Sequence, residues 1–482
     1  MHNQRRSLSA LLVLTTLVGS TRADVIPRLK ASWKEKDARV EVFSPDGRSL
    51  VSSGAEGYRL RDAGTGQVRA VLAAPPMIHL GRPVFTPDSR MLFAQAMSDR
   101  ALPLIVHDVK AWDVASGQPR GSFPYVAEHL DEGSFALSED GHWLAFVDNS
   151  ERLPAQVKTS KMVIDGRHEI EISTNTNPGL PRVKIWDVPA WKEVALVDGG
   201  LPLAFSPDGK TLATGDRNWR APVAKLWDTE AGRLRSELKD RTPGLWPIVF
   251  SPDGRFLASG EHGVKSLWEL ADGRRWAIET KGTGLSSRGP VFSPDGKLLF
   301  PNGLPWVNPQ IGQGEEYYCF DLSTMPPRRL DLGTGEQIIS PDGRRYATVL
   351  GKRGSGAPLT VVLHELPSLH ETGRFEVSGL SGAGFSPDGR WLAFLAGRNA
   401  VVQPGSETRW VWEIRLVDPA TARLLVTVPS PGQTWGNYGW KFSPDGTSLA
   451  VYYRTGSNVS RPGDPDPSDR PMNLELWEIQ PR

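Results

Sequence analysis

The six residues Phe-Ser-Pro-Asp-Gly-Arg stand at Phe43 to Arg48 and return down the chain, for example from Phe205 and from Phe250. Aligned, nine copies centre on Asp46, Asp88, Asp140, Asp208, Asp253, Asp295, Asp342, Asp388 and Asp445. Most successive intervals are 42 to 57 residues and one is 68. Two copies are degenerate, Phe-Thr-Pro-Asp-Ser-Arg from Phe85 and Leu-Ser-Glu-Asp-Gly-His from Leu137. A chain repeated in this way is not one large core. Each repeat is a supersecondary unit that buries its faces against its neighbours.

Every copy follows one order. A short apolar segment, such as Pro247 to Phe250, leads into Ser-Pro-Asp-Gly, and a second apolar segment follows, such as Arg255 to Gly260. Proline presets φ for a turn, aspartate hydrogen-bonds its own turn backbone and glycine accepts positive φ. The stretch therefore predicts a hairpin between two strands. A third strand often ends in an aromatic-acid pair: Trp112-Asp113, Trp186-Asp187, Trp227-Asp228, Trp268-Glu269 and Trp477-Glu478. Phe320-Asp321, His364-Glu365 and Val417-Asp418 are weaker versions. A further turn and a fourth strand complete the unit. Four strands per repeat, at a period in the forties, predict propeller blades. The fold class expected is all-β, a single β-propeller of nine four-stranded blades, with eight blades and one irregular repeat as the alternative.

The Trp-Asp pairs and Phe-Ser-Pro-Asp-Gly hairpins resemble the WD-repeat family. The copies from Phe385 and Phe442 look more like its TolB-type relatives. The resemblance spans about Val40 to Gln480. It departs from the family in one respect: the Gly-His pair that often precedes the first strand is absent. The Asp-His-Ser-Trp hydrogen-bond network of many members is therefore expected to be missing.

The two ends of the chain fit each other. The ninth copy finishes at Gln480 with three strands, and the segment from Asp24 to Trp33 has no local partner. A strand there would complete the last blade and leave no open sheet edge in the ring.

The first 23 residues read as an export signal. His2, Arg5 and Arg6 precede an apolar run from Leu8 to Val18, and small side chains at Thr21 and Ala23 place cleavage after Ala23. The run is too short for a comfortable membrane span. The chain thus divides into a signal peptide, 1–23, and a propeller, 24–482, exported to a periplasmic or secreted location with no stable membrane span after cleavage. The formal charge is +1, and the signal carries three arginines and no acid, which leaves −2 on the remainder. Such a balance does not suggest nucleic acid as a partner. Cys319 is the one cysteine, so no internal disulfide forms, and its alternating neighbours read it as a packed thiol.

Length variation between repeats falls almost wholly between the second and third strands. That connection is minimal in the fifth copy and long at 147–182, 301–316, 396–409 and 454–473. Insertions gathered on one face of a repeat array mark a binding face. Its candidate partner-binding residues are Arg217, Trp219, Arg220, Trp306 and Arg398, with Trp246, Trp435 and Tyr438 between blades, because Trp, Tyr and Arg are the usual interface anchors. Blade packing also consumes aromatics. Trp410 and Trp412 share parity with Ile414 and Leu416 and read as one buried strand face.

No pattern supports catalysis or a cofactor. The nine repeated aspartates each sit in their own hairpin and read as turn residues. Gly379 to Ala383 is a partial nucleophile elbow with no strand-to-helix context. Asp464, Asp466 and Asp469 lack the glycine and terminal glutamate of a calcium loop. The expectation is a non-enzymatic scaffold that binds a protein or peptide, with a carbohydrate or small ligand at the central channel mouth as the alternative and an enzyme with an unrecognised site as the third reading.

Overall fold

A computed structural model of the chain describes residues 25–36, 38–55, 57–73, 83–97, 105–127, 135–148, 157–164, 168–175, 182–215, 223–239, 247–260, 264–279, 289–301, 316–334, 336–351, 357–401, 408–429, 439–454 and 472–481. Among them every regular element is a strand. Nine antiparallel four-stranded sheets form the blades of a nine-blade propeller. Blade 1 consists of Arg39–Phe43, Ser49–Gly54, Gly57–Asp62 and Val68–Ala73. Blades 2 to 8 follow at 84–127, 135–198, 200–239, 248–279, 291–334, 336–377 and 382–429. Blade 9 takes three strands from 439–481 and its fourth, Val25–Glu35, from the start of the chain. That strand pairs antiparallel with the last one from Val25↔Pro481 to Glu35↔Met472. Nine blades, not eight, close the ring.

The repeated hairpin is built by side-chain chemistry. In blade 1 the Gly47 amide donates to the Ser44 carbonyl at 2.8 Å, closing the turn, and Gly47 has φ +69. The Ser44 hydroxyl is fully buried and must find a partner. It donates to Asp46 Oδ1 at 2.6 Å and accepts the Ser49 amide at 2.9 Å, while the Arg48 amide donates to the same carboxylate at 3.0 Å. The hydroxyl-to-aspartate bond recurs at Asp88, Asp140, Asp208, Asp253, Asp295, Asp342, Asp388 and Asp445. In the degenerate second copy Ser89 replaces the glycine at φ +61. Its hydroxyl accepts the Asp46 amide at 3.0 Å and so ties two blades' turns together.

Strands buried on both faces explain the apolar runs after each turn. In blade 3, Leu144 and Phe146 face blade 2, and Ala145 and Val147 face blade 4. The buried apolar residues divide into nine clusters, and each bridges one pair of adjacent blades, including blade 9 with blade 1. The tryptophan of each aromatic-acid pair packs on the preceding blade: Trp112 on blade 1, Trp186 on blade 2, Trp227 on blade 3, Trp268 on blade 4 and Trp477 on blade 8. The acid beside it holds the next turn, as where Asp228 Oδ1 accepts the Ala231 amide at 2.8 Å. Of the Asp-His-Ser-Trp network, blade 4 keeps one link, Trp227 Nε1 donating to Thr214 Oγ1 at 3.0 Å. In blade 9, Glu475 instead accepts from Tyr453 at 2.6 Å and Trp477 at 2.9 Å.

Blade 1 has Arg61 in the tryptophan slot. Its neighbour across the ring closure is the chain's first strand, and there the contact is ionic. Arg61 Nη2 donates to Glu35 Oε2 at 2.8 Å, Nε to Ser52 Oγ at 2.9 Å and Nη1 to the Gly66 carbonyl at 3.0 Å. The guanidinium lies over Trp33, 4.7 Å from the ring centre. Arg59 also donates to Glu35. Burial pulls the Arg61 pKa below its ordinary value, and the Glu35 charge opposes that.

Candidate functional site: one loop-bearing face and the channel beneath it

Antiparallel order alternates the connections between the two faces of the disc. The Ser-Pro-Asp-Gly turns and the third-to-fourth strand turns share one face. The second-to-third connections and the links between blades share the other.

The first face is uniform and tightly fitted. A Cβ on Gly446 would lie 2.4 Å from Asp388 Oδ2, one on Gly389 3.0 Å from Asp342 Oδ2 and one on Gly296 3.2 Å from the Asp253 carboxyl carbon. Each of these glycines therefore abuts the aspartate of the preceding blade's turn. Burial disfavours ionisation of Asp46, Asp88 and Asp445, but hydroxyl and amide donors outweigh it, helped at Asp46 and Asp88 by the Arg48 and Arg90 charges, and hold all three below the ordinary carboxylate value. For Asp208 the Ser206 hydroxyl is the leading cause of the same downward shift. All four are ionised, hydrogen-bonded and committed to their turns, which suits architecture rather than proton transfer.

The other face carries the added chain. In blade 3 a two-stranded hairpin, Val157–Ile164 with His168–Asn175, is inserted between the second and third strands. In blade 8 those strands lengthen to Leu392–Val401 and Thr408–Asp418. Their blade 5 counterparts are the short Phe256–Ser259 and Val264–Glu269. The segment 396–409, expected as a loop, is thus mostly a ladder that runs to Val401↔Thr408. Arg398 is on the ladder, paired with Val411, and does not sit in an open loop. Valine, threonine and tryptophan around it favour extended pairing, so the hairpin zips outward from the blade. Trp412 packs on the cluster between blades 8 and 9 with Ile414 and Leu416, as their shared parity implied. Arg217, Trp219, Arg220, Trp246, Trp306, Trp435 and Tyr438 lie outside the described residues, as do Asp464, Asp466, Asp469 and the signal segment.

Within the ring, the first strand of each blade is the inner edge of its sheet. Along blades 7, 8, 9 and 1 these inner strands border a cavity of about 760 Å³. It runs from Ser381 and Gly439 at one end to Pro341, Pro387 and Pro444 of the hairpin turns at the other. Its walls are apolar and aromatic, with Phe43, Ile338, Phe385, Trp440 and Phe442. Three groups add polarity. Lys441 Nζ donates to the Glu41 carbonyl, the Glu41 carboxylate accepts the Ser53 hydroxyl, and burial pushes the Tyr452 phenol above its ordinary pKa, keeping it a neutral donor. The sequence offered the central channel mouth as an alternative ligand site but none of these lining residues. The available signal was Gly384 in the inner strand Gly382–Phe385, where five other repeats carry a β-branched residue, Val42, Val84, Val249, Val291 and Ile338.

Two other candidates resolve into structure. Cys319 is fully buried, and burial with the nearby Asp321 charge raises its thiol to about 12. Ser381 precedes a strand rather than a helix, so the partial elbow lacks its defining turn. Among the described residues no group of three His, Cys, Asp or Glu side chains is placed to hold a metal ion, and no helix is long and apolar enough to cross a membrane.

No protein-family model matches the sequence, and comparison with curated proteins gives no match. Among solved structures, the crystal structure of the eukaryotic initiation factor aligns with a TM-score of 0.48 at 13% identity, over 82% of this chain and 88% of its own. The hydrazine synthase of Kuenenia stuttgartiensis aligns with a TM-score of 0.36 at 15% identity, over 75% of this chain and 99% of its own. The architecture of nine four-stranded blades rests on the strand pairing itself.

Proposed function

We propose that this chain is an exported propeller of WD-repeat, TolB-like type that binds a protein or peptide partner through its loop-bearing face. The observation that carries this reading is the one-sided placement of added chain. The blade 3 hairpin and the blade 8 ladder both extend the second-to-third connection, while the opposite face is closed by nine near-identical turns. A rigid ring costs little ordering entropy on association and presents preorganised shape. The ring supplies the frame, and Trp, Tyr and Arg on the loops supply the anchors. No chemistry is assigned to it. The repeated aspartates are engaged in turns, and the described residues lining the channel cavity include no histidine.

The test is affinity capture with the chain from Asp24 onward, compared with forms shortened at 301–316, at 454–473 and at 149–181. The reading expects at least one partner to be lost from a shortened form that keeps its melting temperature. If every shortened form retains every partner, the loop-bearing face is not the binding surface. Export is tested separately by fractionation and by sequencing the mature amino terminus, expected at Asp24.

A further inference from the structure

The channel cavity beside blade 8 is larger than packing alone explains. Protein interiors are close-packed, with few voids bigger than a water molecule. A space of about 760 Å³ falls in the range of small-ligand pockets, about 300–1,000 Å³. It is bordered by inner strands along its length and opens at Ser381 and Gly439, where the links between blades enter them.

The glycines on its wall separate two explanations. A Cβ on Gly439 would meet the Tyr452 hydroxyl at 2.3 Å, and one on Gly382 would press Trp440 at 3.0 Å. Those two glycines are explained by the aromatic rings packed on them. Gly384 is not. A Cβ there would have nothing within 4 Å, and its φ is not in the left-handed region. Neither backbone conformation nor a neighbouring side chain requires glycine, yet glycine weakens a strand. What its absent side chain does is keep the wall open, as at positions where a ligand approaches the backbone closely.

The chemistry of the wall narrows the ligand. Among the described residues one cation and one anion line it, Lys441 and Glu41, and both already hold hydrogen bonds to the protein. Among the described residues no asparagine or glutamine lines it, so they supply none of the amide donors of a typical sugar site. Water is a poor filling for walls dominated by phenylalanine, isoleucine and tryptophan, because ordered water needs two to four polar partners. We propose that this cavity is a binding site for a neutral, mainly apolar small molecule with a flat ring, lying against the open backbone at Gly384 beside Trp440 and Phe385.

The test titrates the chain from Asp24 onward with N-phenyl-1-naphthylamine, a neutral aromatic probe whose fluorescence rises in apolar surroundings. The expected result is saturable binding to one site. Gly384→Leu, which fills the space, should weaken it at least tenfold with an unchanged melting temperature. Ser381→Trp, at the exposed rim, is the second variant should Gly384→Leu fail to fold, and it should weaken binding as well. The anionic analogue 8-anilino-1-naphthalenesulfonate should bind at least tenfold more weakly than the neutral probe. Non-saturable binding by the parent chain, retained affinity in a folded cavity-filling variant, or preference for the anion would overturn the proposal. Gly384→Leu should leave protein capture by the loop-bearing face intact, so the two readings fail independently.

Discussion

Replacing Glu35 by glutamine should damage the whole ring, although it touches one residue at its outer rim. Glu35 is 7% exposed and Arg61 5% exposed, so removing the carboxylate's charge leaves a buried guanidinium without its counter-ion. Breaking one side of such a pair costs about 3–5 kcal/mol. Arg61 keeps its bonds to Ser52 and Gly66 and its place over Trp33, and Arg59 is less buried, which argues for the lower end, about 3 kcal/mol. With an unfolding entropy of roughly 2.1 cal/mol/K per residue, that loss lowers the melting temperature of a chain this long by roughly 3 °C. Urea unfolding followed by tryptophan fluorescence measures it. Lys30→Gln is the control, because its pair with Glu478 spans 3.9 Å and is part-exposed, which predicts a loss under about 1 kcal/mol. A Glu35→Gln loss no larger than that of Lys30→Gln would refute the view that the ion pair holds the closure.

The acid limb of stability should report the turns. Asp46, Asp88, Asp208 and Asp445 have folded pKa values below 3.8, so the folded chain holds fewer protons there than the unfolded chain. Their contribution is complete above that value and is lost as pH falls through the folded pKa, so urea midpoints should match at pH 7 and pH 5 and drop at pH 3. Gly446→Ala should cost more than Gly254→Ala in the same assay. Both positions have positive φ, worth about 1–2 kcal/mol of strain, but the first also drives a Cβ onto Asp388 while the second has nothing within 4 Å. Cys319 should resist a thiol reagent at pH 8 in the folded chain and react fully in urea, since its buried thiol titrates near 12.

Much of the fold was legible because the repeat is local. Ser-Pro-Asp-Gly carries its own turn chemistry, so Ser44, Asp46 and Gly47 could be read without knowing what lay across the ring. The fourth strand of blade 9 was legible from the unpartnered segment after Asp24. The closure chemistry was not. Arg61 stands where five other blades have tryptophan, and its meaning depends on Glu35 and Trp33, which only the closed ring brings to it. The extension of the blade 8 ladder past Arg398 was missed because pairing, not composition, decides where a hairpin stops. The channel mouth stood only as an alternative, and its lining was not legible for a related reason. Gly384 matters for what does not surround it, and local sequence patterns do not encode empty space.

The pairing of Val25 with Pro481 also sets an order in time. Synthesis delivers Val25–Glu35 before blade 1 and its partner after the other eight blades, so eight blades can form while the ninth still lacks strands. Throughout that interval the Glu35 carboxylate waits for no new residue from blade 1, yet the first strand has no sheet to join. The closed disc is therefore a state reached only once Met472 to Pro481 has been made, and a chain truncated before Met472 leaves the strand Val25–Glu35 without its partner.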